Sequence, residues 1–98
     1  MSVTQAALEL QEPVDGEKLD NFRSKIVDFV NSGIREVTVN LDGLSGLDTI
    51  VISTLIFALR TMREHGGIIK LAVIQKSVLE TLRVTGLDRV FAVAAARC

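Results

Sequence analysis

The chemistry that this sequence offers is concentrated at one hydroxyl group, where a strand pattern gives way to a helix pattern. Thr49 follows Asp48 at the start of a long segment with an amphipathic helix pattern. Either side chain is a natural N-cap, because its oxygen would accept one of the backbone N–H groups that the first helical turn leaves free. The same N–H groups and the positive end of the helix dipole would also favour a phosphate on Thr49. The local chemistry allows both a structural cap and a phosphorylation site, and it does not choose between them.

The remaining residues do not form a recognisable catalytic or metal site. His65 is the only histidine, and it lies at the far end of the predicted helix from Thr49, with no cysteine, aspartate or second histidine at ligand spacing. A hydroxyl nucleophile with a histidine base is therefore not expected, and the sequence contains no glycine-rich phosphate loop. We expect no catalytic residues, no metal and no cofactor, and hence a binding protein rather than an enzyme.

The elements that would position Thr49 are a strand before it and an amphipathic helix after it. Residues 37–41 are rich in β-branched and apolar types and are followed at once by turn-forming residues, which predicts a strand and a loop. Apolar residues then recur at spacings of 4, 3, 1 and 3, at Val51, Leu55, Ala58, Leu59 and Met62. This spacing predicts a helix with one apolar stripe that faces a sheet.

The opposite face of the same helix carries Ser53 and Phe57, with Ile50 on its flank. Phe57 is then either an exposed ring on a docking surface beside the hydroxyl, or a ring that folds down at the edge of the helix, since single exposed apolar groups are common. The helical pattern leaves both alternatives open.

The other elements alternate between strand and helix along the chain. Strands are expected at residues 7–11, 68–74 and 90–93 and helices at 17–31 and from Ser77 onward, with one more helical turn at 94–97. Asp15 is a plausible cap of the first helix or a partner contact, and Ser77 with Glu80 matches a capping box. Because crossovers of this length join parallel strands, we predict a single α/β domain with a mixed, mostly parallel sheet and helices packed against it. Its core would span about residues 7–93, with frayed ends at 1–6 and 94–98.

Composition narrows the classes of partner. The 98 residues are 48% hydrophobic, which is enough for one well-filled core. A formal charge of -1 and few aromatic residues argue against nucleic-acid binding. The single cysteine cannot form an internal disulfide, which fits a reducing, cytoplasmic location. The longest apolar stretch, residues 49–59, falls well short of the roughly 20 residues that span a bilayer, so direct membrane insertion is not expected.

Four short segments occur in a characteristic order and spacing along the chain. They are Asn40-Leu41-Asp42 at a strand end, Leu47-Asp48 before a hydroxyl, Gly66-Gly67 before a strand, and Thr85-Gly86-Leu87-Asp88-Arg89-Val90-Phe91 near the end. By this order and spacing the chain, from about residue 7 to residue 93, resembles a STAS domain, the fold of bacterial anti-sigma factor antagonists.

This resemblance implies a role for Thr49. In the sporulation-type antagonists the matching motif reads Asp-Ser-Ser-Gly, and its first serine is phosphorylated by the anti-sigma factor, which is itself a kinase. By position, Thr49 is the implied phosphoacceptor. Ile50 stands for the second serine and Val51 for the glycine, so two β-branched residues add bulk where a kinase would approach.

The resemblance also implies partners and a surface. The expected partner is an anti-sigma factor of the serine/threonine kinase type, with a phosphatase to reverse the modification, so that partner switching regulates sigma-factor-dependent transcription; a homodimer is left open. The expected partner-binding residues, besides Thr49, are Asp15, Ser45, Asp48, Ile50, Ser53 and Phe57. Two alternatives lack a working phosphoswitch: a scaffold or subunit of a stressosome-like or lipid-transport ABC complex, and a domain in which Thr49 is only a helix cap.

Overall fold

Strands and helices alternate through the computed structural model, which describes residues 4–72 and 74–93. The elements are β1 (Gln5–Gln11), α1 (Gly16–Asn31), β2 (Glu36–Gly43), α2 (Thr49–Glu64), β3 (Ile68–Ala72), α3 (Lys76–Thr85), a short 3₁₀ helix (Leu87–Arg89) and β4 (Ala92–Val93). The predicted alternation of strand and helix is confirmed. The 3₁₀ helix was not predicted.

The sheet has the strand order β1-β2-β3-β4, and every described pair of neighbours is parallel. Val39 lies opposite Leu8 on one side and Leu71 on the other, so these apolar residues form a row across one face. Strands that follow one another in sequence order, joined by right-handed crossovers, place their connecting helices on the same face of the sheet. The α/β fold class is confirmed, and no antiparallel pair occurs within the described part of the sheet.

The core lies between this apolar face and the helices. The stripe of α2 is buried as predicted at Val51, Leu55, Ala58, Leu59 and Met62. The α1 helix contributes Leu19, Phe22, Ile26 and Val30. Because the buried residues of α2 begin at Val51, the first two residues of the helix stand clear of the core.

The N-terminal strand begins earlier than predicted. The Thr4 carbonyl accepts hydrogen bonds from the backbone N–H groups of Arg35 and Glu36, at 2.9 and 3.0 Å, and β1 begins at Gln5. Residues 5 and 6, expected within a frayed end, therefore belong to the sheet. The remaining expected frayed residues, 1–3 and 94–98, and the predicted helical turn at 94–97 lie outside the described residues.

The predicted start of α3 is wrong. The N-cap is Gln75, which makes no side-chain capping bond, and Ser77 lies inside the first turn. The Ser77 hydroxyl instead donates to the Ser45 carbonyl at 2.6 Å, so it does not complete a capping box with Glu80. The Ser77 hydroxyl therefore bonds to a residue 32 positions earlier in the chain and not to the backbone of its own helix.

The last strand is shorter than the predicted 90–93. Residues Leu87–Arg89 coil into the 3₁₀ helix, and the Leu87 carbonyl accepts from the N–H groups of Val90 and Phe91 at 3.1 and 3.0 Å. These bonds hold Val90 in a turn, and β4 begins only at Ala92.

Candidate functional site

The first turn of α2 resolves which residue caps the helix. Asp48 is extended, with φ -97° and ψ 174°, and its Oδ1 accepts from the Val51 N–H at 2.9 Å. Its carbonyl also accepts from the Ile52 N–H at 3.0 Å, which begins the helical ladder. Asp48 is therefore the N-cap, and the interpretation of Thr49 as the cap is wrong.

Thr49 is the first residue of α2, and its side chain is exposed. Within residues 4–72 and 74–93, no hydrogen bond involves its hydroxyl. Because Asp48 already supplies the cap, the hydroxyl is left accessible at the positive end of the helix dipole. The side chain could therefore accept a phosphate without breaking a described hydrogen bond.

The two bulky residues after Thr49 lie in different environments. Ile50 is 63% exposed, whereas Val51 is buried in the core. Only Ile50 therefore adds apolar bulk to the surface beside the hydroxyl. The buried Val51 side chain packs the first turn of α2 against the core.

Ser45, in the loop between β2 and α2, joins this loop to two other segments. Its N–H and its hydroxyl both donate to Glu12 Oε1, each at 2.7 Å. Its carbonyl accepts from the Ser77 hydroxyl of α3. Ser45 thus links the loop after β1 and the start of α3 to the loop that leads into Thr49.

The two hydrogen bonds from Ser45 change the pKa of the Glu12 carboxyl. The side-chain hydrogen bond from Ser45, and then the backbone bond from the same residue, lower the pKa of Glu12 below its ordinary value. Both bonds stabilise the charged form of the carboxyl. No local pattern indicates the contacts that Glu12 and Ser77 make with Ser45, because these bonds span 33 and 32 residues.

The end of β2 is held close to β1 and to the loop before α3. The Glu12 N–H donates to the Gly43 carbonyl at 3.0 Å, and the Gln75 side-chain amide donates to the Asp42 carbonyl. A Cβ added at Gly43 would lie 2.7 to 2.9 Å from atoms of Gln11. Glycine at this position allows the two strand ends to approach, which positions the loop that carries Ser45.

Asp15 has a structural role at the start of α1. Its Oδ1 accepts from the Lys18 N–H at 2.9 Å, which confirms it as the N-cap of that helix. The residue is exposed and lies in the same loop as Glu12. A partner contact by Asp15 stays a prediction.

The α2 face toward α1 contains a polar contact that was not predicted. Thr54 is completely buried; its hydroxyl donates to the Ile50 carbonyl at 2.9 Å and accepts from Arg23 of α1 at 3.2 Å. Arg23 also pairs with Asp20 on its own helix. The bond between Arg23 and Thr54 joins α1 to α2 at a point about 1.4 turns after Thr49.

Phe57 does not present an exposed ring. It is half-buried and packs against the core, so the alternative in which the ring folds down at the edge of the helix is confirmed. The other six predicted residues are all exposed. We call these six the α2-start surface: Asp15, Ser45, Asp48, Thr49, Ile50 and Ser53.

Two further findings concern other kinds of site. Within residues 4–72 and 74–93, no group of three or more histidine, cysteine, aspartate and glutamate side chains is arranged to hold a metal ion. The His65 ring is used locally, since its Nδ1 lies 2.9 Å from the Thr61 carbonyl and can donate to it. None of the described helices is both long enough and apolar enough to span a membrane.

Comparison with known proteins decides the family. The model of the STAS domain family matches residues 2–97. The chain belongs to the STAS domain family. None of the curated proteins matches its sequence significantly.

Solved structures support the fold of this STAS domain. The NMR structure of the protein TM1081 superposes with a TM-score of 0.80 at 20% identity, over 92% of this chain and 73% of that one. A crystal structure of TM1081 from Thermotoga maritima, described as a candidate anti-sigma factor antagonist, gives a TM-score of 0.71 at 19% identity, over 95% and 74%. At this level of identity the similarity concerns the fold.

Proposed function

We propose that this STAS domain is an anti-sigma factor antagonist of the bacterial cytoplasm. It binds an anti-sigma factor through the α2-start surface, which frees a sigma factor, and phosphorylation of Thr49 ends the binding. The proposal rests on one observation above all: the Thr49 hydroxyl is exposed at the first residue of α2 and is not needed as the cap. Membership of the STAS family, and the description of TM1081 as a candidate antagonist, support the same role.

The binding step would use an apolar contact within a polar surface. Ile50 is 63% exposed, with Asp48 two residues before it and Ser53 three residues after it, while Asp15 and Ser45 are exposed in the loops that follow β1 and β2. Apolar contact at the centre of an interface, with polar groups around it, is the usual arrangement of protein–protein interfaces. The protein itself needs no catalytic group for this role.

The switching step would be electrostatic. In the kinase reaction the Thr49 oxygen bonds to the γ-phosphorus of ATP, its proton passes to a base of the kinase, and ADP leaves. The product carries about -1.5 to -2 charges beside the Asp48 carboxylate. This charge must be desolvated in any close interface over Ile50, so we expect phosphorylation to break the contact. A phosphatase would restore binding.

Affinity purification with variant baits tests this proposal. Tagged wild-type protein, Thr49→Ala and Thr49→Glu are used to capture partners from a lysate of the host, and a kinase-fold anti-sigma factor is quantified by mass spectrometry. We expect unphosphorylated wild type and Thr49→Ala to recover it equally and Thr49→Glu to recover at least about tenfold less. Ser24→Glu, which adds the same charge at an exposed position of α1, is the matched control and should behave as wild type. Equal recovery by all four baits would contradict the switch.

The exposure of Ile50 also favours a second function. A 63% exposed isoleucine at a helix start could hold this STAS domain permanently in a larger complex, such as a stressosome-like assembly or a lipid-transport ABC complex. In that case Ile50→Asp would release the protein from a large assembly, whereas Thr49→Glu would not. Light scattering of complexes isolated from the host distinguishes this function from the switch.

A further inference from the structure

The free edge of β1 and the neighbouring flank of α1 form a groove that the proposed function does not use. The groove has a volume of about 420 Å³. In the described sheet, β1 is the first strand and has a hydrogen-bonded neighbour on one side only. None of the residues of the α2-start surface lines this groove.

The backbone at this edge is ready to accept another strand. The Thr4 carbonyl accepts from the Glu36 N–H, and backbone groups alternate in direction along a strand. The N–H and C=O groups of Gln5, Ala7 and Glu9 therefore point away from β2. A row of this kind is the template used when an extended peptide adds to a sheet.

The wall of the groove on α1 is basic above an apolar floor. Lys18, Phe22 and Lys25 recur at i, i+4 and i+7 and so lie on one stripe of the helix. Phe22 is buried, and Lys25 makes no ion pair within residues 4–72 and 74–93. The Lys18 ammonium donates to the Gln11 carbonyl at 3.3 Å, at the end of the strand edge.

The negative charges of α1 lie away from this wall, and the Asp15 carboxylate before the helix is used in the capping bond to the Lys18 N–H. The acidic residues of α1, at positions 17, 20 and 28, fall off the lysine stripe at 100° per residue. Glu9 lines the groove, but side chains alternate along a strand, so its carboxylate lies with Ala7 on the face away from the helices. The groove therefore favours an acidic occupant.

The spacing of the lysines suggests a pattern for that occupant. Lys18 and Lys25 are seven residues apart, or about 10.5 Å along the helix axis, with Phe22 between them. On an added strand, residues i, i+2 and i+4 would face α1, and i to i+4 spans about 13 Å. Flexible lysine and glutamate side chains bridge this difference. We propose that the groove binds an extended segment of a partner protein with the pattern acidic-x-apolar-x-acidic, added as a strand beside β1.

A second copy of this chain fits the groove less well. The β1 residues on the helix side are Ala6, Leu8 and Leu10, none of which is acidic. Pairing two β1 edges about a twofold axis would also bring the two lysine walls toward each other. The repulsion between these like charges would oppose such self-pairing.

Titration with a synthetic peptide tests the proposal. The probe is an acetylated, amidated peptide in which two glutamates flank a valine at alternate positions, with threonines between and around them. It is added to the ¹⁵N-labelled protein and followed by NMR, with hydrogen exchange measured at each amide. We expect saturable binding below about 1 mM, shifts in β1 and along the Lys18–Lys25 flank, and slowed exchange at the amides of Gln5, Ala7 and Glu9.

Charge exchange provides the control. The double variant Lys18→Glu, Lys25→Glu should bind the glutamate peptide about tenfold more weakly than wild type does. It should instead bind a peptide with lysines in place of both glutamates. Lys76→Glu, a charge reversal on α3 outside the groove, should leave binding unchanged. Absence of binding at about 1 mM, or binding without slowed exchange at the three amides, would overturn the proposal. If the protein without peptide had a dimeric mass by light scattering and these amides were already protected, the edge would be assigned to a second copy. That result would also overturn the proposal.

Discussion

The starts of α2 and α3 use their hydroxyl side chains in opposite ways. At α2 the carboxylate of Asp48 makes the capping bond, and the Thr49 hydroxyl one residue later stays exposed and has no described partner. At α3 Gln75 makes no side-chain capping bond, and the Ser77 hydroxyl is bonded to the Ser45 carbonyl. The Thr49 hydroxyl is thus accessible, whereas the Ser77 hydroxyl has a structural role. The difference depends on which backbone groups the neighbouring residues already bond.

Loss of the α2 cap should have the largest effect on stability. Asp48→Ala removes the bond to the Val51 N–H, and we expect the free energy of unfolding to fall by about 1 kcal/mol, within the usual range of about 0.5–2. Thr49→Ala should change it by less than about 0.5 kcal/mol. Urea denaturation of both variants measures this difference. If Thr49→Ala were as destabilising as Asp48→Ala, the assignment of the cap would be wrong.

Loss of the Ser77 hydroxyl should have a smaller effect. Ser77→Ala removes the bond to the Ser45 carbonyl, and we expect a loss of about 0.5–1 kcal/mol because the bond is exposed to solvent. Ser53→Ala on α2 removes an exposed serine hydroxyl without a described bond and is the matched control. Equal denaturation midpoints for Ser77→Ala and wild type would show that this hydroxyl is not structural.

The smallest effect should be a shift in the titration of Glu12. Ser45→Ala removes the larger cause of the lowered pKa, so we expect the pKa of Glu12 to rise toward its ordinary value of 4.5. NMR of the Glu12 carboxyl carbon over an acid titration measures this change, and Ser53→Ala should leave the titration as in wild type. An unchanged midpoint in Ser45→Ala would contradict the hydrogen bond.

The sign of the pH dependence follows from the lowered pKa. The folded state binds fewer protons at Glu12 than the unfolded state near pH 4.5, so the charged carboxylate stabilises the fold above that pH. This stabilisation is lost as the pH falls through the lowered folded-state pKa. The difference in stability between wild type and Glu12→Gln should therefore shrink in acid.

The two helix starts also show what the sequence could and could not predict. The apolar stripe of α2 and the alternation of strands and helices follow from local periodicity, and both were predicted. The choice between Asp48 and Thr49 as cap depends on backbone angles that residue types alone do not determine. The capping box at Ser77 was wrong because Ser45, 32 residues earlier, supplies a competing acceptor.

The candidate site was predicted only in part, for a similar reason. The exposure of Thr49, Ile50 and Ser53 follows from the helical pattern. The bonds from Ser45 to Glu12 and from Arg23 to Thr54 join residues far apart in the chain, so they required the three-dimensional structure. Phe57 falls on the face opposite the apolar stripe, so its half-burial against the core could not be predicted from the helical pattern.

The phosphoswitch at Thr49 is tested most directly by the intact mass of this protein purified from its native host, measured with and without phosphatase treatment. We expect a population that carries one phosphate, which phosphatase removes and which fragmentation places on Thr49. The same measurement on Thr49→Ala should show no such population. Absence of the phosphate from wild type under varied stress, or its location on another residue, would contradict the phosphoswitch.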